Sequence, residues 1–366
     1  MRDAVDRLHF MDSMRATLMV LGVVLHSAEV FNPRQSWVVT SSNPDPIMGY
    51  LVNVISTFRM PAFFVVSGFF CFFLLRKYKV KKFLSARLVR IVVPLVVTAL
   101  TLNLLQSLFL QKVGLRAPLP EYIKSSAYIG HLWFLINLVY YFLLASLLAV
   151  LLSPFSKFIT GLVSKVFNKV PMELVLVLLP LVSVVMTAVL VKLKLMYFNF
   201  YGLYANYIVM LYLPFFFFGV LLGTDKESLR KFSNINPIYS LVLVVVSAVL
   251  FSMIDKNTGS GLAEVGIIYF SKLTEWASVA ICFYLFYRFM NKQSSLMRLI
   301  SDSSYTIYLF HHLIVIILAV YLIKLEVSAI PSLLIMIVVV TAITLLIHTL
   351  IISKSRVLSF LYNGKQ

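Results

Sequence analysis

Charge is what this sequence has least of. Only 13% of its 366 residues are Asp, Glu, Lys or Arg, against roughly 25% in a soluble domain, and just 14 are acidic. Hydrophobic residues fill 61% of the positions, more apolar surface than a soluble core could hide, so an ordinary globular enzyme is excluded. Cysteine is scarcer still, with Cys71 and Cys282 alone. Two cysteines cannot build a disulfide scaffold, and both lie in apolar runs where they read as small buried hydrophobes. There is no clear internal repeat, no low-complexity tract and no polar stretch long enough for a separate soluble domain. What remains is an all-α, polytopic integral membrane protein, read as one membrane-embedded domain over residues 1–366.

The charge that is present is mostly positive, +18 in all. It lies between apolar segments rather than along one polar face, as expected for loops against an anionic lipid leaflet, and this excludes nucleic acid as a partner. A hydrocarbon core of about 30 Å needs about 20 apolar residues of helix. Such stretches fall near 15–31, 47–75, 88–110, 131–152, 172–191, 206–223, 238–254, 265–290, 300–323 and 330–352. Ten spans put both termini on one side. Most of the 32 lysines and arginines then share that side, including Arg76, Lys77, Lys79, Lys81, Lys82, Arg87 and Arg90 after the second span. This bias makes the tails, 1–14 and 353–366, cytoplasmic. The opening MRDAVDRLHFMDSMR has no short apolar core with a cleavage site, and reads as a retained tail rather than a signal peptide.

Ionisable side chains inside a span are costly and are candidates for function. Arg15 and His26 are 11 positions apart, three helical turns plus roughly 20°, so they share a face about 16 Å apart. Arg15 reads either as an interfacial anchor or as part of a site, and His26 either as an interhelical hydrogen-bonding residue or as a reactive group. Arg59 lies near mid-depth in the second span, too deep to snorkel. It requires an anion, a wet cavity or a structural partner such as Asp302 or Glu275. Pro61 and Gly68 weaken the same helix and fit a bent cavity wall. Arg87 and Arg90, at i and i+3, form either a solvated basic loop or a phosphate clamp. His311 and His312 fall at the depth of His26, whereas His131 and Trp133 fall at the outer mouth of the fourth span, where Trp is commonly a belt residue. The histidine spacing does not suit a metal, and no carboxylate shares a span with the pair.

Five ordered motifs carry a resemblance. They are Asp12, Arg15 and His26 in MDSMRATLMVLGVVLH; FFVVSGF from Phe63 to Phe69; Arg87, Arg90, Ile91 and Pro94; His131 to Leu135; and Ser304 to His311. In this order, and spread over nearly the whole chain, they resemble the membrane acyltransferase-3 family. FRM before FFVVSG, the double histidine, YLPFFFFG from Tyr212 to Gly219, and a Trp after the first span are similar to members that succinylate periplasmic glucans. WFLINLVYY departs from the W-F/Y-L-S-x-E-E of many polysaccharide acetyltransferases. The resemblance implies a multi-pass protein of the bacterial inner membrane, with membrane lipids around it and no permanently bound cofactor. Its donor would be cytoplasmic acyl-CoA, succinyl-CoA rather than acetyl-CoA, and its acceptor a glucan or other glycan on the periplasmic side. His26 would be the catalytic base. Arg15, Ser67, Arg87 and Arg90 would bind the CoA donor, and Arg59, His131, Trp133, His311 and His312 the substrate. Two other readings stay open: an O-acetyltransferase of lipopolysaccharide or exopolysaccharide, and a glycan transporter whose buried cations line a path. A transporter would often carry paired broken helices or inverted repeats, and neither is visible.

Overall fold

The computed structural model describes residues 8–115, 126–255 and 260–365. Residues 1–7 of the N-terminal tail and Gln366 of the C-terminal tail lie outside them. The described chain is helical apart from one two-stranded antiparallel hairpin, β1 (Asn199–Phe200) with β2 (Tyr204–Ala205). The first half contains α1 (His9–Glu29), α2 (Pro46–Lys77), α3 (Val80–Leu100), α4 (Leu102–Lys112), α5 (Trp133–Leu151), α6 (Ser156–Lys169) and α7 (Met172–Lys192). After the hairpin come α8 (Asn206–Leu222), α9 (Lys226–Ser233), α10 (Pro237–Met253), α11 (Gly261–Phe289), α12 (Ser295–Lys324), α13 (Ala329–Leu346) and α14 (Arg356–Asn363).

Local chemistry sets several of the starts. Asp45 accepts a hydrogen bond from the Ile47 amide at 2.8 Å ahead of Pro46, and Asn236 does the same for Ile238, also at 2.8 Å, ahead of Pro237. A capping side chain followed by proline at the first helical position satisfies one amide and removes another that would lack a partner. Seven described helical stretches are long and apolar enough to cross a membrane, and eight if α9 and α10, bent by 66°, count as one. Ten were expected. The missing ones are α1, diluted by Asp12, Arg15, His26 and Glu29, and α8, which has 17 residues. The third expected span is two helices, α3 and α4, broken at Thr101. The segment around residue 160 forms the amphipathic α6, with Phe158, Leu162 and Val166 exposed along one side.

Helix α1 is the hub, packed against α2, α12 and α13. Helix α2 also crosses α8 and α11. The α2–α8 crossing corrects the expected role of Gly68. A methyl there would overlap the Phe216 carbonyl oxygen and lie 3.0 Å from the Val220 nitrogen, and one at Gly219 would overlap the Val65 oxygen. The two glycines therefore let backbones touch, as small residues do between membrane helices, and α2 runs continuously through Pro61. At the C-terminus α14 packs on α3. Gly364, at φ +58°, sits against the backbone of Arg90, where any side chain would clash.

Candidate active site

Four of the six histidines in the chain meet at one place. The ring of His26 (α1) lies 5.3 Å from that of His311 and 5.1 Å from that of His312, both on α12. His131, in the turn before α5, stacks on His312 at 4.8 Å and meets His311 edge-on at 5.5 Å. His131, His311 and His312 are 6%, 2% and 4% exposed, while His26 keeps partial access. Periodicity places His26, His311 and His312 at a common depth, and the structure brings their rings together. His131 was expected at the outer mouth, apart from them. It joins the cluster because its turn is pulled inward: Asn103 of α4 donates to the carbonyls of Tyr128 at 2.8 Å and Ile129 at 3.2 Å, and the Tyr308 hydroxyl donates to the carbonyl of His131 itself at 2.7 Å.

Hydrogen bonds fix two of the tautomers. His311 Nδ1 sits 2.7 Å from the Tyr308 carbonyl and 3.0 Å from that of Ile307. A carbonyl can only accept, so Nδ1 carries the proton. His312 Nδ1 likewise faces Gln106 Oε1 at 2.7 Å. His311 Nε2, His26 Nδ1 and both ring nitrogens of His131 are buried without a partner. Buried polar atoms are rarely left so, and four of them lie together in this cluster.

Arg59 of α2 reaches the same point through Gly22 of α1. A methyl on Gly22 would overlap Arg59 Nη1, and would lie 3.7 Å from Cζ and 3.8 Å from His311 Nε2. Arg59 Nε is buried and unpartnered, and among the described residues no carboxylate pairs with the guanidinium. Asp302 does not pair with it, and Glu275 is held by Lys272 at 2.7 Å within α11. The site therefore combines a cation lacking a counter-ion with uncharged ring nitrogens, an arrangement suited to an anionic group beside a hydroxyl.

Toward the N-terminal end of α1 lies the second predicted group. The guanidinium of Arg15 rests 5.5 Å above the ring of Phe70. Arg15, Arg87 and Arg90 are within electrostatic reach of one another. Ser67 lies on α2, half-buried, and forms no hydrogen bond to these arginines. Trp133 touches no histidine ring. It stacks on Tyr212 of α8 at 5.4 Å, which in turn stacks on Phe64 at 4.9 Å.

Sequence reasoning assigned no site role to four residues that contribute here. Trp37, from the loop after α1, stacks on His26 at 5.7 Å and meets His312 at 5.4 Å. The sequence marks it only through the resemblance, as the Trp after the first span, and a polar loop gives no depth signal that would place it over the cluster. Gln106 and Asn103 could have been found, because with Ser107 they put polar side chains at i, i+3 and i+4 in a span, as costly there as a histidine. Gly22 carries no chemical signal at all.

An acyltransferase domain model matches residues 8–349. Among curated relatives, the glucans biosynthesis protein C of Salmonella paratyphi B (strain ATCC BAA-1250 / SPB7) is 27% identical over 98% of this chain and 95% of its own length. Its namesake in Salmonella gallinarum (strain 287/91 / NCTC 13346) is 28% identical over the same shares. No solved structure matches. With the domain model covering α1 through α13 of a helical membrane bundle, the chain belongs to the acyltransferase-3 family.

Proposed function

We propose that this protein moves a succinyl group from cytoplasmic succinyl-CoA to a hydroxyl of a periplasmic glucan, across the inner membrane of a bacterium. The observation that carries the reading is the shared face of α1. Arg15, beside Arg87 and Arg90, stands at one end, and His26, beside Arg59, stands 11 residues further along the same helix. That separation, about 16 Å at 1.5 Å per residue, suits a donor whose phosphates rest on the arginines while its thioester reaches the histidine. Guanidinium forks bind phosphate oxygens well. In this reading α1 and α8 also cross, which makes ten spans with both termini cytoplasmic. The excess of Lys and Arg on that side supports the orientation. Ser67, between Arg59 and the arginine end of α2, faces the donor path.

His26 acts as general base. Its free nitrogen takes the proton of the glucan hydroxyl as the oxygen attacks the thioester carbonyl, forming the C–O bond. The tetrahedral intermediate collapses with cleavage of the C–S bond, and the proton passes from His26 to the departing CoA sulfur. Ester and CoA thiol leave, and the histidine is neutral again. Arg59 meets the succinyl carboxylate, an anion that could not otherwise enter a low-dielectric site cheaply. His131, His312 and Trp133 line the acceptor side. The relatives' name, with its reference to glucans, supports a glycan acceptor.

The test is direct: purified protein in lipid nanodiscs, labelled succinyl-CoA or acetyl-CoA, and a glucan acceptor. Ester formation with preference for succinyl-CoA is expected. Preference for acetyl-CoA moves the reading to the O-acetyltransferase. Flux of glycan into liposomes without any ester overturns it in favour of a transporter.

A further inference from the structure

The aromatic residues of the β1–β2 hairpin have no place in the histidine cluster, yet the hairpin packs on the turn that carries His131. Six of the eleven residues from Tyr197 to Tyr207 are Tyr or Phe, and none is charged. Tyr197 is 88% exposed and Tyr201 65%, and Phe198 and Phe200 are exposed beside them. We propose that this hairpin is a docking platform for the glucan chain, binding sugar units that flank the one being acylated. The inference rests on the reading of a glucan as acceptor, whose ten-span arrangement puts the hairpin on the periplasmic side.

The platform is fixed in advance. Phe200 pairs with Tyr204, which leaves Tyr201, Gly202 and Leu203 as the turn. Gly202 lies at φ +67° and Tyr201 at +48°. A bulky residue in the left-handed region is uncommon, and such outliers gather at functional sites. The turn is held from outside and within: the Tyr128 hydroxyl donates to the Tyr201 carbonyl at 2.7 Å, the Tyr140 hydroxyl to the Leu203 carbonyl at 3.0 Å, and the Gly202 amide to Asn199 Oδ1 at 2.8 Å. A surface already ordered loses little entropy when its ligand arrives.

The same anchors tie the hairpin to the site. A methyl on Gly202 would meet the side chain of Ile129 at 2.7 Å, so the tip rests on the turn that carries His131, whose ring stacks on His312. A polymer held on the hairpin is thereby held next to the acceptor side of the cluster. The chemistry matches a neutral sugar. A pyranose presents C–H groups on its faces and hydroxyls around its rim, and tyrosine offers a rigid apolar ring with a polar tip. No charge in the segment favours an anion. Belt aromatics sit at the ends of spans, whereas Lys192 and Lys194 stand between the last apolar turn of α7 and Tyr197. The four exposed rings therefore lie beyond the charged edge of the span.

The test uses full-length protein in nanodiscs and a purified neutral glucan, with binding measured calorimetrically in the absence of donor and KM measured with succinyl-CoA. Tyr197→Ser removes a ring that is almost wholly exposed. Tyr201→Asn removes another and keeps the turn, because Asn adopts positive φ readily. Each should weaken glucan binding and raise KM for the glucan about 3–10-fold, the loss of one aromatic contact, with kcat and KM for the CoA thioester unchanged. Tyr321→Ser, at an exposed tyrosine of α12, should change neither. Unaltered glucan affinity in both hairpin variants overturns the proposal, as does an equal loss in Tyr321→Ser, which marks these tyrosines as interfacial anchors. Wild type that binds glucan but forms no ester sinks the transfer reading and leaves the platform; ester formation with the wild-type KM for glucan in both hairpin variants does the reverse.

Discussion

Replacing Gly22 by alanine separates the stability of the fold from the chemistry of the site. Within a helix the change should stabilise by about 1 kcal/mol, because glycine is that much less favourable than alanine. The new methyl would overlap Arg59 Nη1 and sit 3.7 Å from Cζ and 3.8 Å from His311 Nε2. The clashing atom is the far end of a flexible side chain, so the guanidinium can retreat and the helices need not part. Restoring ordinary van der Waals separation of 3.5–4.0 Å requires a shift on the order of 1 Å. A misplacement of that size can cost about 10² in rate, equivalent to about 2.7 kcal/mol of barrier. The expected result is a protein at least as heat-stable as wild type with succinyl transfer reduced about 10²-fold. Acetyl transfer needs no carboxylate anchor and should fall much less. The assay is the ratio of initial rates with the two CoA thioesters, with thermal unfolding followed in the same detergent. Arg59→Gln should shift the ratio in the same direction. If neither variant alters it, Arg59 does not anchor a succinyl carboxylate and the reasoning fails.

His26→Ala should abolish ester formation, by roughly 10²–10⁴-fold, while the protein still inserts and accumulates; near-normal turnover would remove His26 from the mechanism. Arg87→Ala and Arg90→Ala should weaken binding of the CoA thioester more than they slow turnover, and the defect should shrink as salt screens the wild-type contact; unchanged affinity returns both to the role of interfacial charges. Gly68→Ala forces α2 and α8 apart at a point where backbone meets backbone. It should therefore destabilise by about 1–3 kcal/mol of overpacking despite its better helix propensity. Gly161→Ala, in open space on α6, should not; equal unfolding temperatures for the two would contradict the crossing.

Much of this protein follows from local sequence. A composition with so few charges leaves helices as the form in which every backbone group is satisfied inside a membrane. The period of 3.6 residues alone puts Arg15 and His26 on one face and sets His26, Arg59 and the His311–His312 pair at a common depth. Those properties belong to single segments, so they were legible without knowing which segments touch. The arrival of His131 beside His312, the cover of Trp37, the grip of Gln106 on His312, the entry of Arg59 over Gly22 and the Gly68–Gly219 crossing were not legible. Each depends on which helices become neighbours, on rotations set by close packing between residues far apart in the chain, and on polar groups such as Asn103 that find partners only when those neighbours are in place. Periodicity supplied the depth of each group, and tertiary packing decided which of them meet.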